Sequence, residues 1–219
     1  MTLRLLVLGG GGHGKVVADV LRAAGHVLVG FADRRPELVG TVVEPGGGVV
    51  VATADELLAA IASGGPLPGG ADAVALGVGD NALRLRALDA LGSAAAPPIA
   101  HPSAVLSPSA ALGVGTMVMP RVVVNAAARV GGGVILNTGA VVEHDCVVGD
   151  GAHISPNATL TGAAHVGARS WVGAGAVVLP GVRVGSDARV GAGAVVTRAV
   201  PDGATVMGVP ARVGVPLDR

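Results

Sequence analysis

The sequence predicts a small α/β domain over residues 1–96 followed by a parallel β-helix over residues 97–219. Two observations carry this. Fifteen aliphatic residues stand six apart without a slip: Leu112, Val118, Val124, Val130, Leu136, Val142, Val148, Ile154, Leu160, Val166, Val172, Val178, Val184, Val190 and Val196. At the other end, an apolar run enters a glycine cluster and then a helical stretch, LRLLVLGGGGHGKVVADVLRAAG. A period of six is neither the 3.6 of a helix nor the 2 of a strand. It fits a coil in which each hexapeptide makes one short side, so three hexads make one turn.

In chain order, residues 3–9 read as a buried strand, and Lys15 to Gly25 as a helix ended by its glycine. His26 to Phe31 is a second strand, ending at Asp33. Thr53-Ala54-Asp55-Glu56 opens a second helix running to about Ser63. Asp72 to Val78 reads as a third strand, and Gly79-Asp80-Asn81 opens a helix through Arg84 to about Leu91. These two or three βα units are too few for a full two-lobed dinucleotide fold. Gly92 to Pro98 is the linker, stiffened by Pro97-Pro98.

In the coils, each aliphatic is followed four residues later by a small or β-branched one: Thr116, Val122, Ala128, Val134, Ala140, Cys146 and so on to Ala194. A narrow prism has room for one branched side chain per side and a small neighbour. Cys146 is therefore a packing residue rather than a nucleophile. Gly113, Gly131, Gly149, Gly167 and Gly185 recur at every third hexad and should stack at one corner, where positive φ or close backbone approach is needed. Ile99 and Val105 continue the period upstream one residue out of register, which predicts an extra coil adjusted at Ala111.

Composition excludes several classes. The 219 residues are 51% hydrophobic and 14% charged, with zero net charge and 1% aromatics, which speaks against nucleic-acid binding. A single cysteine forms no intrachain disulfide, and the apolar run Leu5 to Leu8 is too short for a signal peptide or a span. A cytoplasmic protein is expected.

Gly9-x-Gly11-x-x-Gly14, with the acid Asp33 at the end of the next strand, matches the dinucleotide fingerprint in form. Such a loop brings phosphates to backbone N–H groups at a helix N-terminus. Alone it points to a nucleotide or diphosphate, or to no more than a tight strand-to-helix turn. Among six histidines, His144 stands two residues from the interior positions Val142 and Cys146, so it should point outward near a coil corner. In Glu143-His144-Asp145-Cys146 it is flanked by acids, which suits either a general base or a solvated surface ring. His153, on the adjacent turn, could face the same cleft. The offsets bring no three rings to one place, so no metal is expected, although ligands from different subunits, as in a β-helical carbonic anhydrase, stay open.

Four motifs together resemble the bacterial nucleotide-sugar acetyltransferases of the NeuD/PglD type. They are Gly11-Gly12-His13-Gly14, Gly79-Asp80-Asn81-x-x-Arg84, Glu143-His144-Asp145-Cys146, and Gly208-Val209-Pro210-Ala211-Arg212. The resemblance spans essentially the whole chain. It implies a Rossmann-like domain and a left-handed β-helix, assembled as a homotrimer with acetyl-CoA between neighbouring prisms. It implies His144 as catalytic base and Asp145 as the acid that polarises it. His153 would contact acetyl-CoA near the thioester, with Ala174 and Ala192 where coil backbone meets the cofactor. Gly11, Gly12, His13, Asp33 and Arg34 would line the nucleotide-sugar site, joined by Gly79, Asp80 and Asn81. The family usually carries a second acid where this chain has Arg34.

The implied function is acetyl-CoA-dependent N-acetylation of a UDP- or GDP-linked 4-amino-deoxy sugar. The alternatives are O-acetylation of a sugar hydroxyl such as that of sialic acid, or of serine. An NAD-dependent oxidoreductase would leave fifteen hexads without a role, and a non-enzymatic scaffold would leave Glu143-His144-Asp145 accidental.

Overall fold

The computed structural model describes residues 1–214. The first part is a four-stranded parallel sheet of β1 (Arg4–Leu8), β2 (Val27–Asp33), β3 (Val50–Thr53) and β4 (Ala73–Leu76), in the order β3-β2-β1-β4. The helices are α1 (Gly12–Ala23), α2 (Ala54–Ala62) and α3 (Asn81–Leu91). Each start has a local cause. Thr53 and Glu56 form a reciprocal capping box on α2, and the Asp80 carboxylate accepts from the Leu83 N–H to cap α3. Helix α1 has Gly11 at its N-cap and no side-chain cap. Gly14 allows α1 to lie against the Gly9 carbonyl, where any Cβ would collide. Strand β3 is the element the sequence did not announce: it is four residues long and pairs with Phe31 to Asp33.

The second part is a triangular prism of two-residue parallel strands. The first face carries Ile99–Ala100, Met117–Val118, Ile135–Leu136, His153–Ile154, Trp171–Val172, Arg189–Val190 and Thr205–Met207, closed by antiparallel Arg212–Val213. The second face runs from Val105–Leu106 to Val195–Val196, and the third from Ala111–Leu112 to Arg183–Val184. Every predicted interior aliphatic is the second residue of its strand. Those from Val118 to Val196 are at most 5% exposed. The terminal Gly208–Arg212 motif closes the end of the prism: Val195 donates to the Gly208 carbonyl and Ala211 to the Val195 carbonyl.

The extra coil exists, but in register. Ala100 pairs with Val118 and Leu106 with Val124, so Ala100, Leu106 and Leu112 continue the six-residue period without adjustment. Ile99 points outward instead and is still only 2% exposed. The reason is that the α/β domain sits on this face: Val17, Ala18 and Leu21 of α1 share one apolar cluster with Ile99, Met117 and Ile135. Burial from outside, rather than a shifted register, makes Ile99 look like a core residue.

The stacked glycines work by close approach. A Cβ on Gly113 or Gly149 would stand 2.5 Å from backbone of the next coil, and neither residue has positive φ. The left-handed backbone lies elsewhere. From Gly115 to Gly193 every sixth residue has φ between 55° and 72°, and seven of these are not glycine, Asp145 among them.

Candidate active site

His144 and Asp145 occupy the corner between the second and third faces. The His144 Nδ1 and Asp145 Oδ2 are 2.8 Å apart, and both side chains are about 62–63% exposed. Asp145 adopts φ 59°, so the turn itself swings its carboxylate back to the preceding ring. An ionised carboxylate only accepts, so a neutral ring meets Asp145 with its Nδ1–H and keeps its lone pair on Nε2. The short Asp side chain reaches because the backbone is left-handed there.

The ring lies over Gly162, one full coil further on. A Cβ at Gly162 would stand 2.6 Å from His144 Nε2 and 2.7 Å from Cε1. Gly162 has ordinary negative φ, so its backbone would tolerate alanine. The expected result for Gly162→Ala is an unchanged Tm with a kcat lowered about tenfold or more, as the ring is pushed from its place. An unchanged kcat would show that the ring position does not matter.

A cleft of about 410 Å³ lies where the α/β domain lifts off the first face. It is lined by Gly79, Asp80, Asn81 and Ala82 on one side and His153, Trp171, Arg169, Asp187 and Arg189 on the other. Trp171 is the chain's single tryptophan; its ring centroid is 6.4 Å from that of His153, and its Nε1 donates to Ser155 Oγ. His153 Nε2 is 3.0 Å from Asn137 Nδ2. Arg169 forks onto Asp187 at 2.8 and 2.6 Å. Ala174 and Ala192 are exposed three residues beyond Trp171 and Arg189, on the corner toward the second face.

Behind this cleft sits Arg84, fully buried. It donates to the carbonyls of Val78 and Gly79 in the α/β domain and of Gly133, Gly151 and Ala152 in the prism, and to Asn81 Oδ1. Asn81 in turn donates to the Arg169 and Ser170 carbonyls. Asn81 therefore ties the two parts together with the very atoms a ligand would have used. Burial with few acidic neighbours brings Arg84 down to about 10.

The same surroundings keep two histidines neutral. Burial first, then Arg84, lowers His13 to about 4; burial, Arg84 and His13 lower His153 to about 3. His13 Nε2 is buried without a hydrogen-bond partner among the described residues. In the unfolded chain both rings take up protons near pH 6.5, while in the folded chain they do not until about pH 4. The unfolded state thus binds more protons in this window, and stability falls as pH drops from 7 toward 5. The slope approaches roughly 1.4 kcal/mol per pH unit for each ring. Asp33 and Glu44, both lowered to about 2 from ordinary values of 3.8 and 4.5, add a further loss as pH falls below about 5. Thermal melts at pH 7 and 5 should show the drop, and a His13→Gln, His153→Gln double variant should flatten it. An equal drop in that variant would contradict the assignment.

A second cleft, of about 500 Å³, is lined by Leu8, Gly9, Gly11, Asp33, Arg34, Arg35, Ala54, Gly77, Val78 and Leu83. Gly11 and Gly12 have open space where a Cβ would stand, so packing does not demand glycine there. Asp33 is 5% exposed and occupied. Its oxygens accept from Gly10 N–H at 2.8 Å, Arg35 N–H at 3.1 Å and the Arg35 guanidinium at 2.8 and 3.1 Å. The Arg35 fork and the Gly10 amide hold its carboxyl near 2. Arg35 is a lining residue of this cleft that the motif spacing did not reveal.

The expected site residues therefore fall into three places. Gly11, Asp33 and Arg34 line the glycine-loop cleft. Gly79, Asp80 and Asn81 line the other cleft with His153, sharing the wall 77–83 with the first. His144 and His153 do not share a cleft within one chain. Their separation is one and a half hexads, which carries the second ring from a corner past the third face to the first.

A family model described as the PglD N-terminal domain matches residues 4–91, and a model of bacterial transferase hexapeptides (six repeats) matches residues 127–162 and 163–198. Among solved structures, PerB from Caulobacter crescentus, in complex with CoA and GDP-perosamine, is 37% identical at a TM-score of 0.83, over 98% of this chain and 100% of that one. The acetyltransferase domain of PglB from Neisseria gonorrhoeae, in complex with acetyl coenzyme A, is 37% identical at 0.85, over 97% and 100%. WeeI from Acinetobacter baumannii is 26% identical at 0.81, over 96% and 99%. No curated protein sequence matches at a significant level.

Proposed function

The chain belongs to the nucleotide-sugar N-acetyltransferases of the NeuD/PglD type, and we propose that it moves the acetyl group of acetyl-CoA onto the amino group of a UDP- or GDP-linked 4-amino-deoxy sugar. The observation that carries this is the His144–Asp145 pair at an open corner, with Nδ1 turned to the carboxylate and both side chains exposed. The full-length likeness to an enzyme bound to CoA and GDP-perosamine supports it.

The chemistry follows from these groups. A neutral amine attacks the thioester carbon, the N–C bond forms and the C–S bond breaks. His144 Nε2 takes the proton that the amine loses and returns it to the departing thiolate. Asp145 holds the ring in the tautomer that can accept and stabilises the imidazolium. No covalent enzyme intermediate is required, and Cys146, fully buried, is not available for one.

His153, Ala174 and Ala192 form the cofactor wall, with Trp171 and Arg189 beside them, and Gly11, Gly12, His13 and Arg34 serve the sugar nucleotide. Within one prism the base and the cofactor wall stand at two different corners, separated by the second face. That face presents Val105, Val123, Val141, Thr159, Val177 and Val195 outward, all at least partly exposed. Closure into a cytoplasmic homotrimer would cover this apolar stripe and bring His144 of one chain to the cofactor wall of its neighbour. Among the described residues no helix is long and apolar enough to cross a membrane. Trp171 provides the test of the cofactor wall: titration with acetyl-CoA should change its emission saturably. A flat titration with no measurable binding would overturn the acetyl-CoA reading.

A further inference from the structure

We propose that Arg34 selects guanine, so that the amino sugar is carried on GDP rather than UDP. This holds only if the glycine-loop cleft takes the nucleotide, as proposed. Three polar side chains line that cleft: Asp33, Arg34 and Arg35. Asp33 has both oxygens occupied by Gly10 and Arg35, and Arg35 is committed to Asp33 through Nε and Nη2. Arg34, at the end of β2, is exposed and has no partner among the described residues. It is the one uncommitted polar side chain in the lining. The rest of the lining is largely apolar, with Ala54, Val78 and Leu83 suited to the flat faces of a base.

A guanidinium offers donors only, in a planar fork. The outer edge of guanine presents two adjacent acceptors, N7 and O6, which the fork matches with both arms. Uracil presents O4 beside an N3–H donor and a C–H, so only one arm of the fork is used. Adenine places a donor beside N7 and is mismatched. Cytosine, with adjacent O2 and N3 acceptors, is the one competitor by this chemistry.

The test is calorimetric binding of GDP, UDP and CDP to the intact protein and to Arg34→Ala. The intact protein should bind GDP about tenfold or more tightly than UDP, and at least as tightly as CDP. In Arg34→Ala the ratio should collapse toward one, with UDP affinity little changed. UDP binding as tightly as GDP, or CDP binding more tightly than GDP, would overturn the proposal. So would a GDP preference that survives the substitution, or an equal loss for all three nucleotides, which would make Arg34 a phosphate contact. Binding of none of them would instead overturn the nucleotide reading of the cleft itself.

Discussion

Replacing His144 by Asn is expected to lower kcat by roughly 10²–10⁴-fold with little change in acetyl-CoA affinity or Tm. The side chain is 62% exposed and its ring contact is with Gly162, so it contributes little to the fold. What disappears is the acceptor for the amine proton. Asp145→Asn is the informative partner experiment. Asn tolerates the left-handed backbone at φ 59°, so the turn survives, whereas alanine would confound the result with strain. An amide can donate to Nδ1 and so favour the tautomer that blocks Nε2. We expect a loss of about tenfold or more in kcat for Asp145→Asn, with KM for both substrates within about twofold. An unchanged rate in His144→Asn would remove the base assignment altogether.

The second large effect belongs to the second face. Val177 points outward from the prism, among Thr159 and Val195 on an apolar stripe, so Val177→Glu leaves the interior column untouched. In a closed trimer, however, it would bury three carboxylates against apolar surface, at a cost of several kcal/mol per assembly. The expected outcome is a folded, monomeric chain by sedimentation with activity lowered on the order of 10²-fold or more, because base and cofactor wall would no longer meet. A monomer with full activity would show that one chain holds the whole site. A trimer with full activity would show that another face makes the assembly.

The prism was legible in the sequence because its period is rigid: one inserted residue would misalign every later coil. The same rigidity fixes the surroundings of His144. Gly162 stands one full coil after His144 and so must lie directly against it, and the one-and-a-half-hexad offset of His153 must put that ring on another side. Ile99 misled because an aliphatic residue buried by a neighbouring domain resembles one buried inside a coil, while the true interior residue, Ala100, is too small to stand out; Val105, 64% exposed, misled because it directly precedes the true interior residue Leu106. The left-handed positions were hidden because Arg121, Ala127 and Asp187 take up that backbone as well as glycine does. Asp33 was found by its spacing, but the occupation of its oxygens by Gly10 and Arg35 is a matter of tertiary geometry. Arg84 likewise shows its role only once carbonyls from both parts of the chain converge on it.

The most direct measurement is thiol release from acetyl-CoA with GDP- and UDP-linked 4-amino-deoxy sugars, beside free sialic acid and serine. The account predicts stoichiometric thiol release with a nucleotide-linked amino sugar, an amide in the product, and no turnover with the unlinked acceptors. Turnover with sialic acid or serine, and none with any nucleotide-linked amino sugar, would contradict it.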